Sequence, residues 1–316
     1  MTSDPSPAKV PTFYFIGVTT AQSSIMKVFP RWAQHLQLDA RIAGIDCKQH
    51  DDPERYRAIV DFIKHDPLSL GALVTTHKID LLVAARDLFD GLGPYAELLG
   101  EVSSISKRDG ELWGHAKDPI TSGLSMEAFL PSCHFASTSA ELCLLGAGGS
   151  SLALTANCMQ KSDHANRPRA IVVTNRSQGR LDSMRGIHAQ INPGIPVRYH
   201  LCREPWENDE IVSQLPPASV VANATGLGKD APGSPLTDAA RFPQDGFAWD
   251  FNYRGELEFL RQARAQAADR NLTVEDGWIY FVHGWTRVIS EVFHFDIPTS
   301  GPEFDELSRI AAEARS

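Results

Sequence analysis

The sequence predicts a two-domain α/β protein whose second half is a doubly wound parallel sheet. Its 316 residues exceed the usual size of one compact domain. Strand-length apolar runs alternate with helical patterns in both halves, which is typical of parallel sheets covered by helices. The hydrophobic fraction of 42% and the charged fraction of 22% are those of an ordinary globular protein.

The first half has a βαβαβ pattern that ends in a hairpin. Strands are predicted at 13–18, 40–47 and 70–76, with a helix over 25–38 between the first two. A second helix is expected to start at Asp52-Pro53, because Asp caps free N–H groups and Pro fits the first turn. The runs 101–107 and 111–116, which Arg108-Asp109-Gly110 joins, predict an added hairpin.

A second alternation begins at residue 141. Its predicted strands are 142–145, 170–174, 197–202, 220–224 and 247–251, with helices after the first two that run to about 159 and 191. Three helical patterns close the chain, at 256–268, 280–293 and 302–312. The loop-like stretch 129–139 suggests a boundary, so we expect one domain at 1–130, completed by helices 285–316, and another at 131–284.

Composition argues against several classes of partner. The 30 basic and 39 acidic residues give a net charge of −9 without a basic run, so no nucleic-acid partner is expected. No apolar run approaches the ~20 residues that a membrane-spanning helix needs. The first ten residues are polar and Pro-rich rather than a signal peptide, and a cytoplasmic protein is expected. The five cysteines are scattered without a CxxC pair, so no metal site is predicted.

A glycine-rich turn lies between the strand at 142–145 and the following helix. It reads Gly146-Ala147-Gly148-Gly149-Ser150-Ser151. In a dinucleotide fold the first glycine permits a tight turn, the second lets the pyrophosphate approach the backbone, and the helix N-terminus supplies N–H donors. Ser151 stands where G-x-G-x-x-G has its third glycine. An ordinary βα turn is the alternative for the motif alone, but its strand–turn–helix context favours a dinucleotide site.

The end of the next strand indicates which dinucleotide is bound. An NAD enzyme carries an acid there for the ribose 2′-hydroxyl, whereas this chain has Asn175, Arg176, Ser177 and Arg180. Guanidinium groups and small hydroxyls suit a 2′-phosphate, so NADP is the predicted cofactor. The alternative is that Ser177 is a plain helix cap and Arg176 is solvated, which fits each residue alone but fits all four together less well. Asn223-Ala224-Thr225-Gly226 follows another strand and would edge the same crevice, although alone it is simply a turn.

The glycine-rich turn, the basic site and the N-A-T-G turn follow one another in this order. In this arrangement the second half resembles the cofactor half of the shikimate dehydrogenase family, which has a Rossmann-type dinucleotide-binding domain. The first half is similar to that family's α/β substrate-binding and catalytic domain, so the resemblance spans nearly the whole chain. The family segments N-V-T-x-P-x-K, G-A-x-N-T, G-x-N-T-D and D-x-x-Y-x-P correspond to 73–78, 100–104, 114–118 and 250–255. The family's early S-x-S pair falls on 23–25, and its late glutamine falls on His283.

The resemblance implies an NADP-dependent oxidoreductase that acts on the CH–OH group of a cyclic acid of the shikimate, dehydroshikimate or quinate type, within aromatic amino acid biosynthesis. It implies Lys78 and Asp118 as the catalytic pair, with Lys78 exchanging the proton of the reacting oxygen and Asp118 orienting it. The substrate-binding residues that it implies are Ser23, Thr75, Ser103, Tyr253 and His283.

The departures from the family pattern are Ile25, Ser103, Lys117 and His283, at places where the family grips its substrate's carboxylate and ring hydroxyls. Shikimate itself is therefore expected to be a poor substrate. Lys117 would offset part of the loss by pairing with a carboxylate, and a protonated His283 would add charge near an anionic substrate.

Several alternatives stay open. Without the resemblance to the family, the favoured interpretation is that Lys78 merely ends a strand and that Asp118 caps a helix. The same scaffold could act on a modified ring, for example an aminated one, or serve as an idle NADP-binding regulatory protein, although two intact catalytic residues argue against idleness. Methylenetetrahydrofolate dehydrogenases also combine a catalytic lysine with a C-terminal dinucleotide domain, but the segment 114–118 favours the shikimate type. A monomer and a homodimer are both compatible with the sequence.

Overall fold

A computed structural model describes residues 7–191, 194–229 and 231–315. The chain divides into two compact units, Met1–Lys117 with Val282–Ser316, and Asp118–Phe281. The first break thus precedes Asp118, whereas the sequence suggested a boundary after residue 130. The reason is that the helix Asp118–Phe129 packs closely on the helix Gly149–Gln160: a Cβ added at Gly123 would lie 2.3 Å from the amide oxygen of Asn157.

The first unit is built around a mixed sheet with the strand order β2-β1-β3-β5-β6-β4. Strands β1, β2 and β3 are parallel, while β5 and β6 form the predicted antiparallel hairpin. In chain order its elements before residue 118 are β1 (Thr12–Gly17), α1 (Ile25–His35), β2 (Arg41–Asp46), α2 (Pro53–His65), β3 (Ser69–Val74), α3 (Lys78–Ala85), β4 (Gly91–Leu92), α4 (Pro94–Leu99), β5 (Ser104–Arg108) and β6 (Glu111–His115).

The second unit has the doubly wound order β12-β11-β10-β7-β8-β9, and all of its neighbouring strands are parallel. Its elements are α5 (Asp118–Phe129), α6 (His134–Ser137), β7 (Leu142–Leu145), α7 (Gly149–Gln160), β8 (Ile171–Asn175), α8 (Gln178–Ile191), β9 (Val197–Leu201), α9 (Pro205–Ser213), β10 (Val220–Asn223), β11 (Phe247–Asp250), α10 (Glu258–Arg264), α11 (Ala267–Arg270) and β12 (Thr273–Glu275). Strand order reverses between β7 and β10, and ligands of open α/β sheets bind at the carboxyl ends beside such a point. The predicted Rossmann-type fold class is confirmed.

Two helices close the chain, α12 (Trp278–Phe293) and α13 (Pro302–Arg315). From Val282 onwards they belong to the first unit. None of the helices in the described ranges combines the length and the apolar character that crossing a bilayer requires.

Alternation along β1 explains how the first sheet is covered on both faces. The Tyr14 ring lies 5.5 Å from Phe62 of α2 on one face. On the other face the Phe15 ring lies 5.0 Å from Trp285 of α12. Both of these rings are almost fully buried, so the strand is sandwiched between two helical layers.

The structure corrects several element predictions. Lys78 was expected at a strand end, but β3 ends at Val74 and Lys78 begins α3, because Thr76 has a positive φ of 65° that breaks the extended run. The single helix predicted at 256–268 starts later, after Leu257 with a φ of 49°, and is divided into α10 and α11. Elements that the sequence did not predict are α3, β4, α4, α6, α9 and β12.

Candidate active site

A cleft of about 600 Å³ opens in the second unit at the carboxyl ends of its central strands. Predicted cofactor residues from three separate turns line it: Gly146, Ala147, Gly148, Asn175, Arg176, Arg180, Ala224, Thr225 and Gly226. The other predicted cofactor residues, Gly149, Ser150, Ser177 and Asn223, adjoin these turns in the chain but do not line the cleft. The fold thus brings most of the predicted nucleotide-binding residues together at one edge of the second sheet.

The glycine turn has the geometry of a phosphate cradle. Gly146 has a φ of 110°, and a Cβ there would lie 2.9 Å from the carbonyl oxygen of Ala224, so only glycine fits. A Cβ at Gly148 would meet nothing within 4 Å, which leaves the backbone open to a ligand at the start of α7. A pyrophosphate fits such a cradle, since the first N–H groups of a helix favour anions.

Ser151 explains the missing third glycine. Its buried hydroxyl donates a hydrogen bond of 2.5 Å to the carbonyl oxygen of Gly146. The side chain therefore closes the turn from within α7 instead of obstructing it.

The basic site at the end of β8 is arranged by short-range hydrogen bonds. The Asn175 Oδ1 atom accepts from the backbone N–H of Arg176 at 2.7 Å, and the Ser177 hydroxyl accepts from the backbone N–H of Arg180 at 3.4 Å. Ser177 thus caps α8 at its start, which was the alternative interpretation of this residue. The Arg176 and Arg180 side chains are exposed and line the cleft, and no acid ends β8.

Further cleft residues were missed because they lie outside the motifs. These are Thr174, Cys202, Arg203, Glu204, Pro205, Asn208, Leu227, Ala231 and Pro235. The preceding strand could have indicated the residues from Cys202 to Asn208. Strand β9 is the parallel neighbour of β8, so the residues that follow it reach the same edge of the sheet.

A buried carboxyl group, Asp250, orders the N-A-T-G turn. Its Oδ2 atom accepts from Asn223 Nδ2 at 3.0 Å, and its Oδ1 atom accepts from the N–H and the Nδ2 of Asn252, each at 2.8 Å. Asn223 Oδ1 in turn accepts from the Thr225 hydroxyl at 2.6 Å. Burial raises the pKa of Asp250 to about 6, although these hydrogen bonds favour the charged form.

In the first unit, Lys78 is half-buried at the start of α3. Its carbonyl oxygen accepts from the N–H of Val102 at 3.1 Å, and the next residue, Ser103, accepts at its hydroxyl from the N–H of Lys117 at 2.8 Å. One short segment therefore ties the backbone of Lys78 to the residue that directly precedes Asp118 in the chain. Asp118 itself begins α5.

The neighbouring His77 belongs to the core. It is fully buried, and its Nδ1 atom lies 2.9 Å from the Tyr56 hydroxyl. Burial lowers the pKa of His77, which favours the neutral imidazole.

The predicted substrate residues have different surroundings. Ser23 and Thr75 are half-buried in the first unit, and the N–H of Thr75 donates to the carbonyl oxygen of Ile16 at 3.0 Å. Ile25, where the family has its second serine, is fully buried and can offer a substrate no hydrogen bond. Tyr253 lies in the second unit, with its ring 5.1 Å from Phe281.

Lys117 already has a carboxylate partner within the first unit. Its ammonium group lies 2.5 Å from one carboxylate oxygen of Glu291, while His115 Nε2 lies 3.2 Å from the other. All of these side chains are largely buried. Glu291 thus already neutralises the charge that Lys117 would offer to a substrate carboxylate.

His283 is buried and neutral. Its side chain stacks on Phe304 with ring centroids 4.4 Å apart, and burial lowers its pKa to about 4. A neutral imidazole adds no positive charge near an anionic substrate, so the added charge that a protonated His283 would bring is absent near neutral pH. Its Nδ1 atom is buried and has no hydrogen-bond partner among the described residues.

Comparison with known sequences bears on the family. No protein-family model matches the chain. A curated shikimate dehydrogenase (NADP(+)) of Streptococcus thermophilus is 26% identical over 182 residues, 56% of this chain and 58% of that protein. The curated enzyme of the same name from Lactococcus lactis subsp. cremoris is 27% identical over 180 residues, 57% of this chain and 59% of that protein. The match thus spans less than two thirds of the length of these relatives.

Solved structures share the fold along almost the whole chain. A quinate dehydrogenase from Corynebacterium glutamicum in complex with NAD has a TM-score of 0.76 at 17% identity, and the match covers 96% of this chain and 99% of that one. A shikimate 5-dehydrogenase from Thermus thermophilus in complex with NADP(H) and shikimate has a TM-score of 0.70 at 20% identity, with coverages of 96% and 99%. The resemblance to shikimate dehydrogenases is confirmed in sequence by these curated relatives, and the solved structures show that the fold is shared.

Proposed function

We propose that this chain is an NADP-dependent dehydrogenase of a cyclic hydroxy or keto acid of the shikimate, dehydroshikimate or quinate type. The observation that carries the proposal is the cleft of the second unit, where the glycine turn, Arg176 and Arg180 meet without an acid at the end of β8. The motifs that contain Lys78 and Asp118, and the curated relatives named as shikimate dehydrogenases, support the reaction class.

The cleft residues fit an NADP molecule. The backbone at Gly148 and the first turn of α7 would receive the pyrophosphate, and Arg176 and Arg180 would receive the 2′-phosphate. A structure of similar fold was solved with NAD, so the fold alone does not decide the cofactor. The choice of NADP rests on the residues that follow β8.

NADP(H) would supply or accept the hydride, as nicotinamide cofactors do. Lys78 would provide the proton that the reduced oxygen needs, and would take it back in the oxidative direction. Asp118 would orient the Lys78 ammonium by a charge-assisted hydrogen bond. Ser23, Thr75, Ser103, Tyr253 and His283 are the proposed substrate contacts.

The first unit favours a second candidate, a dehydrogenase of a modified ring, for example an aminated one. The Ser103 hydroxyl already accepts the N–H of Lys117, and the Lys117 ammonium already pairs with Glu291. The neutral His283 adds no positive charge for an anion. These residues would hold a ring with a different polar pattern better than shikimate.

The test is the loss of NADPH absorbance when purified protein meets a panel of cyclic keto acids, including dehydroshikimate, dehydroquinate and amino-substituted analogues. We expect turnover with at least one acid and much slower turnover with NADH. NADPH binding without turnover of any acid would instead favour a regulatory NADP-binding protein.

A further inference from the structure

Arg203 lies beside the predicted 2′-phosphate residues, although no motif contains it. It follows β9, whose last residue, Leu201, pairs with Asn175 of β8. The N–H of Cys202 donates to the carbonyl oxygen of Asn175 at 2.9 Å, so the two strand ends stay joined beyond the sheet. Arg203 and Arg176 therefore leave adjacent strands on the same side of the cleft, which both of them line.

The backbone at Arg203 is fixed by a capping box. Glu207 accepts at its Oε2 atom from the N–H of Arg203 at 2.5 Å and from the N–H of Glu204 at 2.8 Å. The Glu204 side chain accepts in return from the backbone of Glu207 at the start of α9. The Arg203 side chain thus projects, exposed, from a rigid turn rather than from a loose loop.

Three exposed guanidinium groups, those of Arg176, Arg180 and Arg203, border this cleft, and none has an ion-pair partner within the described ranges. Two nearby arginines in the chain that do not line the cleft are paired: Arg185 of α8 with Asp182 at 3.0 Å, and Arg198 of β9 with Glu141. Among the described lining residues the single acid is Glu204, whose carboxylate is engaged in the capping box. The local charge therefore suits a dianion.

We propose that Arg203 is a third contact to the ribose 2′-phosphate of NADP and helps to set the preference for NADP over NAD. This inference rests on the proposed function. A phosphate dianion accepts several guanidinium donors, and a planar fork holds it better than an ammonium group does. The alternative position for Arg203 is against the adenine ring, which NADP and NAD share, so the two positions predict different selectivity.

The experiment compares the dissociation constants of NADPH and NADH by isothermal titration calorimetry for the wild-type chain, Arg203→Ala and Arg203→Lys. Arg241→Ala is the matched control, because it removes another exposed arginine, one that does not line the cleft. Losing one hydrogen-bonded charge partner should weaken NADPH binding about tenfold or more in Arg203→Ala and leave NADH binding within about twofold. The affinity of Arg203→Lys for NADPH should lie between those of the wild-type chain and Arg203→Ala. Arg241→Ala should bind both cofactors as the wild type does.

Equal weakening of both cofactors in Arg203→Ala would assign Arg203 to the adenine and overturn the proposal. Unchanged NADPH binding would overturn it as well. Thermal unfolding of each variant checks that the fold is intact. Because the readout is binding, a wild-type chain that binds NADPH selectively but reduces no cyclic acid would refute the proposed reaction while leaving the role of Arg203 standing. A wild-type chain that binds neither cofactor would refute both.

Discussion

Asp250 offers a test of how the N-A-T-G turn is held. This carboxyl group is fully buried, and its three hydrogen-bond donors come from Asn223 and Asn252. Asp250→Asn keeps the shape of the side chain but removes the ionisable group. We expect the free energy of unfolding of the two proteins to depend on pH in different ways.

The sign follows from the raised pKa. Burial raises the pKa of Asp250 from its ordinary value of 3.8 to about 6, and the nearby Asp276 adds to the rise. A tenfold change in proton affinity is worth about 1.4 kcal/mol, so ionising Asp250 in the folded state costs about 3 kcal/mol more than in the unfolded chain. Well below about pH 4 the group is protonated in both states and the cost is absent. It grows as the pH rises and is complete above about pH 6.

The assay is urea unfolding of both proteins at intervals from pH 4 to pH 8. The stability of the wild-type chain relative to Asp250→Asn should fall by about 2 kcal/mol between pH 4 and pH 7, with the rest of the cost lying below pH 4, and then stay nearly constant. The other titratable groups are the same in both proteins, so their contributions cancel in the difference between the two free energies of unfolding. The difference in free energy of unfolding could instead stay constant, or favour the wild type more as the pH rises. Either result would mean that the hydrogen-bond donors stabilise the Asp250 carboxylate more than burial destabilises it, and the reasoning would be wrong.

Two further substitutions and one substrate assay test other parts of the site. Arg176→Asp should lower the ratio of NADPH to NADH affinity by about 100-fold, because a charged donor becomes a repelling acid; equal affinities in the wild type would refute the assignment. Ser151→Ala should lower the free energy of unfolding by about 1 kcal/mol, since the carbonyl of Gly146 loses its buried donor, and unchanged stability would contradict this. Shikimate with NADP should give a kcat/KM below about 10⁴ M⁻¹s⁻¹, because Ser103 and Lys117 are engaged elsewhere; a higher value would show that these departures are harmless.

The second unit was the part that the sequence predicted best. Its central strands, β7, β8 and β10, are buried and mostly apolar runs followed by glycine or polar turns, so local pattern and final fold agree there. The residues at Gly146, Arg176 and Ala224 follow such strands directly, and the carboxyl ends of a parallel sheet bring them together without further information.

Long-range contacts account for what the sequence did not predict. The Lys117 and Glu291 side chains are 174 positions apart, and only the packing of α12 on the first sheet makes them partners. Lys78 begins a helix because Thr76 adopts a left-handed backbone conformation. Threonine rarely adopts this conformation, so the sequence did not predict it. Arg203 belongs to no motif, and its position becomes meaningful only when β9 is seen beside β8.

Turnover by Lys78→Met, measured beside its affinity for NADPH, tests the proposed chemistry most directly. The substrate is the acid of the panel that the wild-type chain reduces fastest. Losing the proton donor should lower kcat by about 100-fold or more while the dissociation constant of NADPH changes by less than about twofold. Wild-type turnover in this variant would contradict the assigned role of Lys78 and with it the proposed dehydrogenase mechanism.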